Sequence, residues 1–300
     1  YPLPLAMASS FNDELVKTAY RNIASEAALD YIHWTFTPML DLSRDPRWGR
    51  CVESPGEDPY LGSRMAIAMI RGIQGDNLSD ESSIAACAKH YIGYGASEGG
   101  RDYHHTDISE PSLHNFYLPA FNAAVKAGVQ TVMNSFNEIG GQPVASSRRL
   151  LTEVLRGELG FNGFVISDWC AIQQLKNHGV AENDKQAAEL SLNAGIDMDM
   201  VDECYIDYVA ELIEEGKISI ETLDNAVGNV LRVKLRLGLF EHPFAPKYEI
   251  DKTEHIRHAR KLAGESMVLL KNKNNVLPLK ENERVALAGP MATIKETHLG

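Results

Sequence analysis

No apolar run in this 300-residue sequence approaches the roughly 18 residues that a membrane-spanning helix needs. Basic charge is not in excess either: the formal net charge is −12. Binding a nucleic-acid backbone requires clustered Lys and Arg, so the charge argues against nucleic acid as a partner and against docking on anionic lipid. Cysteine is scarce. Cys51, Cys87, Cys170 and Cys204 lie far apart with no CxxC spacing, which makes neither a zinc site nor a disulfide framework. No GxGxxG follows the first strand-like run, and no Walker loop, strand-to-helix serine elbow or cysteine-nucleophile motif is read. That thins out dinucleotide-binding, kinase and protease chemistry. Internal repeats and low-complexity tracts are missing. The chain opens Tyr-Pro-Leu-Pro-Leu and closes on Gly300 just after a strand-like run. Both ends are expected to be cut, so a missing targeting segment says nothing of localisation. Nothing bears on oligomeric state.

What is present is the profile of a globular protein, 44% hydrophobic and 23% charged. This length buries a core without disulfides or structural metals. Apolar positions Leu15, Val16, Ala19, Ile23 and Ala27 predict a helix over 12–31, capped by Asn12 or Asp13. A strand-like run over 33–40 leads into a polar loop over 41–59 and a helix over 65–73. Strands over 84–91, 129–136 and 163–167 alternate with helices over 113–126 and 148–159, the last strand announced by an Asn162–Gly163 turn. Helices over 183–194, 204–215 and 219–237 follow, around a run over 195–200.

Strand, loop and helix in repetition mean parallel βαβ units, and fully buried strands agree. About four or five units before residue 240 fall short of the usual eight of a closed barrel. An α/β fold with a (β/α) barrel incomplete at its N-terminus is expected, with a doubly wound sheet as the rival. Residues 1–240 are read as the partial barrel, 241–282 as a linker with a helix over 254–270, and 283–300 as the first strand of a second domain.

In a parallel barrel, functional residues gather at the C-terminal ends of strands. Gly163-Phe-Val-Ile-Ser-Asp-Trp169 is an apolar strand ending in a carboxylate and an indole. Asp168 there is a nucleophile, a base, or the cap of the next helix, and Trp169 offers a face for a sugar ring. Lys89 and His90 close another strand, either gripping hydroxyls or serving as surface and core residues. The loop over 41–50 holds Arg44, Arg47 and Arg50, followed by Glu53, Glu57 and Asp58. Its guanidinium forks bind hydroxyls or brace the loop through carboxylates. Glu98-Gly-Gly-Arg-Asp-Tyr-His-His105 has adjacent histidines without metal-ligand spacing, so Arg101 is its better candidate, as a substrate-side donor. No metal and no cofactor is expected.

These segments, in this order, resemble glycoside hydrolase family 3 over essentially the whole chain. The similarity rests on Arg-Asp-Pro-Arg-Trp-Gly-Arg (44–50), Ser-Pro-Gly-Glu-Asp-Pro-Tyr (54–60), Lys-His-Tyr (89–91), Ser-Asp-Trp (167–169) and the tail Ala263-Gly-Glu-Ser-Met-Val-Leu-Leu-Lys-Asn with Leu277-Pro-Leu. The resemblance implies a retaining exo-β-glycosidase for glucosyl or xylosyl ends, built as a (β/α)8 barrel followed by an α/β sandwich domain. It implies Asp168 as nucleophile, Arg50, Lys89, His90 and Arg101 as sugar-binding residues, and Trp169 beside the innermost subsite. A β-linked glycoside is then the partner, and a periplasmic or secreted setting is favoured for the whole protein.

Departures accompany the match. The acid/base Glu of two-domain members has no counterpart in these residues, and neither has the family's upstream sugar-binding Asp. Phe136 stands where a family Tyr often sits near the nucleophile. Ile92-Gly-Tyr-Gly replaces the Pro-Gly-His-Gly loop of the one-domain N-acetylglucosaminidase branch. Two other readings stay open: a non-catalytic carbohydrate-binding relative or inactive fragment, and a barrel lyase using Lys89 as a Schiff base. The second leaves Ser-Asp-Trp unexplained.

Overall fold

The computed structural model describes residues 1–243 and 247–292. The chain divides into two compact units, Tyr1–Met267 and Val268–Gly300.

The first unit opens with α1 (Pro4–Ala8) and α2 (Asp13–Leu29). The Asn12 side chain accepts the Leu15 N–H at 3.1 Å, and Asp13 and Glu14 face the positive end of the α2 dipole. Leu15, Val16, Ala19, Tyr20 and Ala24 form its buried face. Next comes α3 (Pro59–Gln74), with Asp58 accepting from Leu61 and Pro59 in the first turn, where a missing N–H costs nothing. The two helices touch closely at Gly72, where a Cβ would lie 2.4 Å from the Lys17 carbonyl oxygen.

β1 (Cys87–Tyr91) follows. Then α4 (Glu110–Ser112), a wide π turn (Leu113–Tyr117) and α5 (Leu118–Lys126) run on as one helix. The wide turn adjoins Pro119, which has no N–H to return to the preceding turn. β2 (Thr131–Asn134) leads to a small hairpin, β3 (Glu138–Ile139) and β4 (Gln142–Pro143). A wide helix (Arg149–Glu158), β5 (Phe164–Ile166), α6 (Asp184–Ala194), α7 (Cys204–Glu214), α8 (Ile220–Arg236) and α9 (Lys252–Glu265) complete the unit.

β1, β2 and β5 make a parallel sheet in that order, with Cys87 opposite Thr131 and Thr131 opposite Phe164. Single parallel bridges extend it on both sides: Trp34–Ala85 and Met39–Lys89 before β1, and Ile166–Met198 beyond β5. The strand expected over 33–40 is therefore present as a companion of β1 without forming a regular strand. Thr35 donates to the Ala85 carbonyl, but Cys87 then donates to Thr37, so the chain bulges on the way to Pro38, which has no N–H for a ladder. The outcome is an α/β fold with a parallel sheet and few regular strands among the described residues.

The helix expected over 254–270 starts at Lys252 and stops at Glu265. It belongs to the first unit, where the Tyr248 hydroxyl donates to the Ser25 carbonyl and Asn12 donates to Glu265 at 2.9 Å. In the second unit the Asn272 side chain bridges both backbone groups of Leu277. Residues 283–289 show no strand pairing; a strand exists only through its ladder, and no described segment supplies one. The rest of the strand expected over 283–300 lies largely outside the described residues.

Candidate active site

The C-terminal ends of the parallel segments lie side by side, and four of them contribute to one polar cluster. His90 comes from β1 and is buried. Asp41, just beyond the Met39–Lys89 bridge, is buried too, and its Oδ2 accepts the His90 backbone N–H at 3.0 Å and lies 2.7 Å from His90 Nδ1. A carboxylate only accepts, so Nδ1 carries a proton and the ring is held in one orientation. That turns Nε2 toward Asp168, 3.4 Å from its Oδ2.

Asp168 stands two residues beyond β5. Its backbone N–H donates to the Asn134 side chain at the end of β2, at 3.2 Å, and its Oδ1 accepts the Trp169 N–H at 2.7 Å. Oδ2 is buried and makes no hydrogen bond among the described residues. Burial pushes the Asp168 carboxyl above its ordinary range, while His90, the Trp169 N–H, Lys89 and Arg50 pull the other way. One oxygen is thus bound and the other presented, beside three cationic or cation-capable groups. Such a carboxylate is suited to attack an electron-poor carbon.

The floor of the cluster is apolar: Met39, Trp48, Tyr94, Phe136 and Ala171. Asp102 braces it, accepting from Trp48 Nε1 at 3.1 Å and from the Tyr94 hydroxyl. Arg50 is held by a two-pronged bond to Glu53, at 2.7 and 3.1 Å, and lies over the Tyr94 ring. Arg47 pairs with Asp45 on the surface, so this loop uses arginine partly as bracing. Trp169 is 61% exposed and free to offer its face.

The structure brings together Asp168 and His90, with Lys89 and Arg50 close enough to act on the Asp168 charge. It does not bring in Arg101, which is exposed and has no side-chain partner among the described residues; its neighbour Asp102, also exposed, is the residue whose carboxylate reaches Trp48 and Tyr94. Sequence reasoning missed Asp41, Asn134 and Asp102. Asp41 and Asn134 are polar residues at the ends of apolar runs, the same signal that singled out Asp168. A further motif passed unnoticed: Gly95-Ala-Ser-Glu-Gly99 fits the letters of a serine elbow. Ser97 is buried and donates to the Tyr94 carbonyl at 2.8 Å, between two 3-10 turns, so it is no exposed nucleophile. Among the described residues no set of three or more His, Cys, Asp or Glu side chains converges as a metal site.

Residues 1–233 match the model of the glycosyl hydrolase family 3 N terminal domain. The chain is 42% identical to a periplasmic beta-glucosidase of Salmonella typhimurium, over all of this chain and 40% of that protein. It is 39% identical to a putative beta-xylosidase of Formosa agariphila, over 96% of this chain and 39% of that protein. Among solved structures, a beta-glucosidase from Listeria innocua superposes with a TM-score of 0.89 at 46% identity, covering 93% of this chain and 40% of that one. That enzyme is also known in complex with glucose, and a mutant of it in complex with laminaribiose. The chain thus spans about 40% of the length of these relatives. On the match over residues 1–233, the chain belongs to glycosyl hydrolase family 3.

Proposed function

We propose that this chain carries the nucleophile of a retaining exo-β-glycosidase acting on terminal β-D-glucosyl or β-D-xylosyl residues. The observation that carries this reading is the Asp41–His90–Asp168 relay at the strand ends, in which Asp168 Oδ2 faces His90 Nε2 at 3.4 Å without a hydrogen bond among the described residues, and Lys89 and Arg50 act on its charge. Asp168 attacks the anomeric carbon and forms a C–O bond as the bond to the leaving oxygen breaks. That oxygen takes a proton from a general acid, and water, deprotonated by the same group, then releases the sugar.

Retention needs the two carboxyl groups about 5–5.5 Å apart. The acid/base is a Glu supplied from outside residues 1–300, consistent with a chain spanning about 40% of its relatives. Arg50, Lys89 and His90 bind the glycone and Trp169 flanks it, while Arg101 is left out because it stands exposed outside the cluster. In this reading residues 1–240 are part of a (β/α)8 barrel, 241–282 a linker with its helix, and 283–300 the entry to an α/β sandwich domain. The beta-glucosidase and beta-xylosidase names of the relatives support the substrate class, and the Salmonella relative supports a periplasmic or secreted setting.

The experiment is Asp168→Ala in the whole protein, assayed with a dinitrophenyl β-glucoside with and without azide. Turnover should be lost and azide should restore it, giving the α-glycosyl azide. Near-normal turnover in a folded variant would sink the assignment.

A further inference from the structure

The turn that carries Asp168 is strained. Cys170, two residues on, has a backbone φ of 54°, the left-handed region that a residue with a Cβ avoids. The facing segment after the Ile166–Met198 bridge is strained as well: Val201 has φ 70° and Glu203 φ 59°. Val201 is β-branched, for which this conformation is a marked outlier. Residues held in such regions persist only where their surroundings over-determine them.

Asp202 sits between the strained positions and ties the two segments together. It is buried, 5% exposed. Its Oδ2 accepts the Ile172 N–H at 3.0 Å, and its carbonyl accepts from the Gln173 side chain at 3.1 Å. Its own N–H donates to Asp199 Oδ1, while Asp199 Oδ2 takes the Tyr205 N–H. Ser167, next to Asp168, completes the seam by accepting the Met200 N–H at 2.7 Å. The second Asp202 oxygen, Oδ1, is buried with no hydrogen-bond partner among the described residues. The Ile172 N–H bond is thus the side-chain link between Asp202 and the turn that carries Asp168.

We infer that Asp202 is a positioning residue: by holding the Ile172 N–H it fixes the strained 169–172 turn and with it the direction of the Asp168 carboxylate. This rests on the proposed role of Asp168 as nucleophile. The environment agrees. Burial, with the charge of Asp199 added, pushes the Asp202 carboxyl up to about 6, so the residue sits where its charge is costly. The Cys170 thiol is likewise pushed up, by burial and then by Asp202. Strain kept at a nucleophile turn by an expensive buried carboxylate is the pattern of a site preorganised for reaction.

The test uses the whole protein and an activated 2-deoxy-2-fluoro β-glucoside, which traps the covalent intermediate. Two quantities are read: the rate of trapping, and the inhibition constant of a neutral glucose analogue that reports glycone binding alone. Asp202→Ala should slow trapping at least tenfold and leave the inhibition constant within twofold. Asp202→Asn keeps an acceptor for the Ile172 N–H and should stay within fivefold of wild type. Asp202→Ser, too short to reach that N–H, takes the place of the alanine variant if the latter does not fold. Trapping at the wild-type rate in a folded alanine or serine variant overturns the inference. So does a proportional loss of glycone binding, an asparagine variant as slow as alanine, or loss of folding in both truncations, since each would make Asp202 a stability residue. A wild-type protein labelled somewhere other than Asp168 would instead refute the nucleophile assignment, so the two failures are distinguishable.

Discussion

Replacing Asp41 by Ala removes the acceptor that fixes His90. Two donors then lose their partner in a buried place: the His90 backbone N–H, at 3.0 Å, and its Nδ1–H, at 2.7 Å. Hydrogen bonds to a charged group contribute about 1.5–3 kcal/mol each, so the pair is worth about 3–6 kcal/mol. Relief of the buried carboxylate's own desolvation offsets part of this, which sets the expected loss near the lower end, about 3 kcal/mol. For a domain of this size each kcal/mol moves the midpoint by about 2–4 °C, so Tm should fall by roughly 6–12 °C. Activity should fall as well, because nothing then keeps Nε2 directed at Asp168. A loss of about 1.4 kcal/mol in the transition state is tenfold in kcat/KM, and at least that is expected. Asp41→Asn keeps an oxygen for both donors but places an NH2 where Oδ1 is buried without a hydrogen bond, so it should lie between wild type and alanine. Differential scanning calorimetry with steady-state kinetics on the whole protein reads both effects. An alanine variant within 1 °C of wild type (a threshold far below the ~6 °C expected) and with unchanged kcat/KM would refute the reasoning.

Other outcomes follow from the same geometry. Trp169 is 61% exposed, so Trp169→Ala should change stability by less than about 0.5 kcal/mol while raising KM; a large drop in Tm would place the indole in the core instead. The raised Asp202 carboxyl sets a pH trend: the folded state holds that proton more tightly than the unfolded chain, so its stabilising contribution is complete below about pH 3.8 and lost as pH rises through about 6. Asp202→Asn should flatten the decline of Tm over that window, and thermal melts with equal slopes in both proteins would contradict it. Gly163→Ala would put a Cβ 1.9 Å from the Gln130 carbonyl oxygen, so β5 could not reach β2, and a soluble variant with wild-type Tm would show the approach is not needed. Residues 1–300 alone should not hydrolyse cellobiose, since general acid assistance typically contributes about 10²–10⁴-fold and the acid is proposed to lie elsewhere; robust cellobiose turnover would place it within this chain.

The helices were legible because their signals are local. Asn12, Asn183 and Ser219 each cap a helix that starts where the apolar periodicity does. The segment over 33–40 was legible as an extended run, but not its irregular pairing, because the bulge depends on where Pro38 falls opposite β1. The Gly140–Gly141 turn, both residues at positive φ, went unread, because it joins strands of two residues each, too short for alternation to show. Gly163 was read as a turn signal; its stronger reason is the close approach of Gln130, which no local pattern reveals. In the site, Asp168 and His90 stood out because each ends an apolar run beside another reactive residue. Asp41, Asn134 and Asp202 did not, because what marks them is only the contact each makes, across 49, 34 and 30 residues. Long-range pairing of lone polar residues is set by the fold, and only the fold shows which of them meet.

The most direct measurement is the identity of the carboxylate that becomes glycosylated. The whole protein is incubated with a dinitrophenyl 2-deoxy-2-fluoro β-glucoside, digested, and read by peptide mass spectrometry. The expected result is one added fluoroglucosyl group, on Asp168, with release of one equivalent of dinitrophenol. A label on any other carboxylate, or steady turnover with no label on the peptide containing Asp168, would contradict the role given to this residue.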